Sequence, residues 1–115
     1  MVAVINNMNE FTSAINGTLD GCAVCIVMFS ANWSSVSQSI KPTFYEISDK
    51  YPQFTFIEVD IDELSEAAEQ AQVTAMPTFV AYGKSIEGPM IINRMAGSSS
   101  ERQLFEFVRS CMQIL

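Results

Sequence analysis

Two short stretches of this chain hold side chains whose types and spacing could do chemistry. Cys22-Ala23-Val24-Cys25 is a literal Cys-x-x-Cys, the pattern of thiol–disulfide exchange, and Ser34-Ser35-Val36-Ser37 sets two hydroxyls at the same spacing beside Trp33, the one tryptophan. The thiol pair fails on geometry. If both cysteines lie in a strand, their Cα atoms are about 10 Å apart at roughly 3.3 Å per residue, beyond disulfide reach, and they point to opposite faces. Cys25 therefore reads as a buried structural thiol, and Cys22, after Gly21, as a residue near a turn. The serines fail on activation, because the chain contains no histidine, the usual base for a serine nucleophile and the commonest metal ligand. Ser34 instead suits the N-cap of a helix, accepting from a backbone N–H two or three residues on. Asp60, Asp62, Glu63 and Glu66 form an acidic group that could suggest a cation site. Carboxylates at a helix N-terminus are stabilising in themselves, so neither metal nor cofactor is expected.

The elements that must position these residues follow from apolar spacing. Val2 to Ile5 predicts a short strand, and Asn9 to Asn16 a helix with Phe11, Ala14 and Ile15 on one face and Gly17 as its stop. Ala23 to Phe29 is continuously apolar, the pattern of a strand covered on both faces. From Ser35 to about Lys50, Val36, Ile40, Phe44 and Ile47 recur at helical spacing, with Pro42 expected to kink that helix. Phe54 to Val59 predicts a strand, Glu63 to Gln72 a helix capped by Asp62, Thr78 to Tyr82 and Ile91 to Met95 two more strands. Ser98 followed by Glu101 suggests a capping box for a last helix from Ser99 to Met112, with Leu104, Phe105 and Val108 on one face. The order βαβαβαββα makes an α/β domain, a mixed sheet with helices over it. A length of 115 residues suits one domain spanning 1–115.

Composition narrows the partners. A net charge of −7 with no basic cluster argues against nucleic acid. No apolar run reaches the roughly 20 residues of a membrane span. The first residues lack the features of a secretory signal, and three unevenly spaced cysteines make no disulfide framework, so the cytoplasm is the expected compartment. Cys111, near the end of the last helix, has two readings: partial burial, or exposure that allows a disulfide-linked dimer under oxidation.

Met28-Phe29-Ser30-Ala31-Asn32-Trp33-Ser34-Ser35-Val36-Ser37 resembles the strand end and Trp-Cys-Gly-Pro-Cys loop of the thioredoxin family, with serine at both cysteine positions. Pro42 falls at that family's helix proline. Phe56-Ile57-Glu58-Val59-Asp60-Ile61-Asp62 is similar to its third strand, and Val73-Thr74-Ala75-Met76-Pro77-Thr78-Phe79 to its cis-proline segment. Gly97 matches a glycine lining the substrate groove if the connection through Gly88-Pro89 is longer than usual. The resemblance covers nearly the whole chain and implies a thioredoxin fold.

It also implies what is lacking. In active members the first cysteine, its pKa lowered to about 7 at a helix N-terminus, attacks the substrate disulfide and the second resolves the mixed species. Serine at 34 and 37 can do neither. The family's buried aspartate behind the site corresponds to Met28, which cannot titrate. Two readings remain. One is a redox-inert module that holds a protein or extended peptide in a groove of Trp33, Ser35, Val36, Met76, Pro77 and Gly97. The other is an active protein-disulfide reductase whose dithiol was changed to serine. Trp33 by residue type alone could be a packed aromatic; the resemblance places it on the groove rim.

Overall fold

The computed structural model describes residues 1–17, 23–98 and 100–114. Its centre is β2 (Cys25–Ser30), every residue of which is buried. Successive side chains of a strand point to opposite faces, and here the alternation divides the core in two. Cys25, Val27 and Phe29 join α1 (Met8–Ile15) and α3 (Ser65–Gln70) on one face, through Phe11, Ala14, Ala67 and Ala68. Ile26 and Met28 join α2 (Ser35–Lys50) and α4 (Glu101–Ile114) on the other, through Ile40, Phe44, Leu104 and Val108. A strand buried on both faces cannot alternate polar with apolar, which is why the run is continuous.

The sheet order is β1-β3-β2-β4-β5. β1 (Val2–Ile5) and β2 run parallel to β3 (Thr55–Asp60), while β4 (Thr78–Ser85) is antiparallel to β2 and β5 (Gly88–Ala96) to β4. Among the described residues a mixed five-stranded sheet is flanked by four helices, the architecture that the resemblance implies. Phe44 anchors α2 on it, with its ring 5.6 Å from that of Phe56 and 5.5 Å from that of Phe79. Pro42 sits inside α2 and has no N–H, so the carbonyl of Gln38 loses its helical donor.

Several expectations need correction. Asp62 does not cap α3: the helix starts at Ser65 behind Leu64, which makes no side-chain cap, and Asp62 N–H instead donates to Asp60 Oδ1 at 2.8 Å in a tight turn. Ser98 and Glu101 form no capping box. Gln103 N–H donates to Ser100 Oγ at 3.2 Å, which makes Ser100 the cap, and Glu101 reaches across to accept from Thr43 Oγ1 of α2 at 2.7 Å. The β4–β5 hairpin extends beyond both predicted strands, pairing Gly83 with Met90 and Ser85 with Gly88. Its outer part, with Lys84, Ser85 and Met90 exposed and glycine at 83 and 88, has no alternation of apolar and polar residues to mark it, yet ladder pairing needs only backbone.

Candidate functional site

At the end of β2 the chain leaves the sheet through Ala31 and Asn32, exposes Trp33, and turns into α2 at Ser34. Ser34 has extended backbone (φ −94°, ψ 110°), and its Oγ accepts the N–H of Ser37 at 3.1 Å, satisfying one of the unpaired donors of the helix start. Gln38 ties the loop down, its Nε2 donating to the carbonyl of Ala31 at 3.0 Å. The side chain of Ser37 is fully buried, and its own hydroxyl has no partner among the described residues.

The sheet brings the second segment alongside. Phe29 of β2 pairs with Thr78 of β4, and Thr78 with Ala96 of β5, so Pro77 and Gly97 lie at the same end of the sheet as the Trp33 loop. The Met76–Pro77 bond is cis. Gly97 N–H donates to the carbonyl of Pro77 at 2.7 Å, and Thr78 Oγ1 to that of Ala75 at 2.6 Å. Gly97 has φ +72°, a conformation that favours glycine, although a Cβ there would lie 3.7 Å from that of Ala75, ordinary contact. Among the described residues the backbone N–H and carbonyl of Met76 have no hydrogen-bond partner.

The groove residues are therefore gathered but not equally presented. Trp33 is 68% exposed, Ser35 and Val36 are exposed, and Gly97 is open to solvent. Pro77 is buried, and Met76 is half-buried against the α1/α3 side of the core, so the two contribute backbone more than side-chain surface. Met28 is fully buried among Phe44 and Phe79 on the α2/α4 face.

One polar group escaped the sequence reading. Glu58 is the register partner of Met28 on β3 and is 6% exposed. Its carboxylate accepts from Lys41 Nζ at 2.7 Å, Tyr45 Oη at 2.6 Å and Ser30 Oγ at 3.2 Å. Burial pushes the Glu58 carboxyl up, but the bonds from Lys41 and Tyr45, the Lys41 charge and the Ser30 bond outweigh it and hold the group below its ordinary value. Tyr45 is pushed up to about 12 by burial and by its bond to that carboxylate. The signal was a single carboxylate within the apolar run Phe56 to Val59, with Lys41 and Tyr45 four apart on a helix.

The thiols stand apart. Cys25 is 2% exposed, and Cys111 is fully buried in the α2/α4 core, where burial pushes its pKa up against bonds to Asn93 and Ser110. The exposed reading of Cys111 is corrected: a disulfide-linked dimer there would require α4 to lift from the sheet. Cys22, and with it the Cys22–Cys25 pair, lies outside the described residues. Asp60 ends β3, Asp62 and Glu63 lie in the β3–α3 connection, and Glu66 is in the first turn of α3.

Comparison with known proteins gives a consistent assignment. A family model described as Thioredoxin matches residues 2–110. Horse thioredoxin is 32% identical over 102 residues, covering 89% of this chain and 91% of the relative. Among solved structures, Plasmodium falciparum thioredoxin superposes with a TM-score of 0.82 at 30% identity, covering 94% of this chain and 97% of that one. A cysteine-to-serine mutant of Entamoeba histolytica thioredoxin gives 0.79 at 27% identity, covering 96% and 99%.

Proposed function

The chain belongs to the thioredoxin family, and within it we propose a protein-binding module that is inert as a dithiol oxidoreductase. The observation that carries the reading is that both positions matching the family's dithiol are serine, with the Ser34 hydroxyl committed to capping α2. Neither thiol among the described residues reaches the surface to substitute for them. The groove needs no thiol to bind. An extended segment laid beside Met76 pairs with its unpartnered N–H and carbonyl as an added strand would, while exposed Trp33 covers its side chains. Partners of this kind are protein segments in the cytoplasm, not nucleic acid or membrane. The test is reduction of insulin disulfides with dithiothreitol as electron source: turnover no higher than dithiothreitol gives alone supports inertness, and turnover comparable to a dithiol thioredoxin overturns it.

A second reading, a reductase whose dithiol was replaced by serine, is favoured by one observation. Ser37 buries a hydroxyl that has no partner among the described residues, and a thiol loses less on being left unbonded than a hydroxyl does.

A further inference from the structure

The exposed rim around Trp33 is bordered on one side by carboxylates that no cation among the described residues neutralises. β2 and β3 run parallel, so the loops leaving them emerge side by side, and Ile61 N–H donates to the carbonyl of Ser30 at 3.0 Å. The connection carrying Asp60, Asp62 and Glu63 thus starts one strand spacing, about 4.8 Å, from the segment leading to Trp33. Helix capping does not consume these acids. Asp60 accepts from Asp62 N–H within the turn, and the side chains of Asp62 and Glu63 make no hydrogen bond or ion pair among the described residues.

The chain's own cations are engaged or distant. Lys41 is tied to Glu58, Lys50 to Glu46 and Arg102 to Glu106. The Arg94 guanidinium donates to the carbonyl of Ala71 at 2.8 Å, and Lys84 pairs with Pro89 at the opposite end of β4. Arg109 is exposed about 12 Å along α4 from the helix start. A net charge of −7 adds a long-range field of the same sign.

Building on the groove reading above, we propose that the occupant is an extended peptide segment carrying arginine or lysine beside its anchor residues. β2 lies between β4 and β3, so the Asp62–Glu63 loop leaves the sheet about two strand spacings, roughly 10 Å, from the Met76 end of β4, a gap that an arginine or lysine side chain two or three positions from the anchor can bridge. A guanidinium can also lie on the exposed face of Trp33, the aromatic that attracts cations most strongly. An acidic segment would instead bring like charges together over a partly desolvated surface.

Trp33 is the only tryptophan, so its fluorescence reports on the groove directly. The probes are three peptides of about nine residues, the length of a β-strand, with one valine-rich centre flanked by arginine, by serine or by glutamate. The expected result is that the arginine peptide binds at least ~10-fold more tightly than the serine one, that the advantage disappears at about 0.5 M salt, and that the glutamate peptide does not bind. The Asp62→Asn, Glu63→Gln double variant should lose most of the arginine preference while holding the serine peptide as before. Equal binding of the arginine and serine peptides, or a preference untouched by that variant, overturns the proposal and leaves the groove standing. If none of the peptides binds at any salt, the groove reading falls and the proposal with it.

Discussion

The hydroxyl of Ser34 accepts the backbone N–H of Ser37 at 3.1 Å, whereas the hydroxyl of Ser37, fully buried, has no partner among the described residues. Two serines at one spacing thus have opposite energetic signs. Ser34→Ala removes an N-cap and should destabilise by about 1 kcal/mol. Ser37→Ala removes an unmet desolvation cost and should be neutral or stabilising by up to about 1 kcal/mol. Urea unfolding of the two variants decides it, and equal losses would mean that the Ser37 hydroxyl is bonded in solution.

Glu58 sets the acid limit of the α2–β3 contact. Its folded pKa lies below the ordinary value of 4.5, so its contribution is present above that pH and is lost as pH falls through the folded value. Tyr45 works in the other direction. Its folded pKa of about 12 exceeds the unfolded 10.0, so its contribution holds below pH 10 and is lost as pH rises through about 12. Glu58→Gln should cost about 2 kcal/mol at pH 7, the lower side of a broken buried pair because Lys41 is only partly covered, and should flatten the acid limb of a stability-against-pH curve. An unchanged acid limb would assign it to other carboxylates.

Arg94 holds the groove's second wall. Its guanidinium donates to the carbonyls of Ala71 and Gln72, the latter at φ 56°, and so fixes the chain that runs on to Met76. Arg94→Ala should cost about 1 kcal/mol, since the side chain is exposed. The discriminating measurement is amide hydrogen exchange, which should speed up from Val73 to Met76 and stay unchanged in β2. Uniform acceleration would indicate global destabilisation instead.

How far the fold was legible follows from which residues face apolar neighbours. Ile40, Phe44 and Ile47 repeat at helical spacing because one side of α2 packs on the sheet, and Val24 to Phe29 is apolar throughout because β2 is covered twice. Ends set by local polar bonds left weaker traces. Asp62 and Ser98 each have the right residue type for a cap, but the choice among neighbouring acceptors depends on where the chain enters, and Ser100 wins at α4. At the site, the positions of Ser34, Trp33 and Gly97 could be read from motif order. Glu58 left only a lone carboxylate in an apolar run as its signal, and its role could not be read, because its three donors come from β2 and two positions of α2 that only folding assembles. Cys111 was left between partial burial and exposure because the end of a helix is usually frayed, whereas β5 packs over this one through Asn93 and Ser110 and buries the thiol.

Burial should make the described thiols slow. Cys25 and Cys111 are 2% and 0% exposed, and the Cys111 pKa is raised, so both should react with a disulfide reagent only through opening of the fold. Labelling followed by peptide mapping should find them protected in native protein and fully modified in denaturant. Prompt modification of Cys111 in native protein, or a dimer lost on Cys111→Ala under mild oxidation, would restore the exposed reading.

Restoring the dithiol separates the two functional readings. Residues 34 and 37 span the first turn of α2, where Cα atoms three apart lie ~5–6 Å from each other, within disulfide reach. The helix start that Ser34 now caps would lower the pKa of a thiol in its place. Ser34→Cys with Ser37→Cys should therefore close a disulfide and show a reactive thiolate. Exchange also needs a proton acceptor for the second thiol, and the position behind the site is Met28, fully buried, beside a Glu58 carboxylate already held by three donors. A positioned acid–base group contributes typically ~100-fold or more. Insulin reduction by the double variant should accordingly stay at least ~10-fold below a dithiol thioredoxin, and Met28→Asp added to it should raise the rate. Full turnover from the two cysteines alone would show a site still tuned for catalysis and would favour the reductase reading.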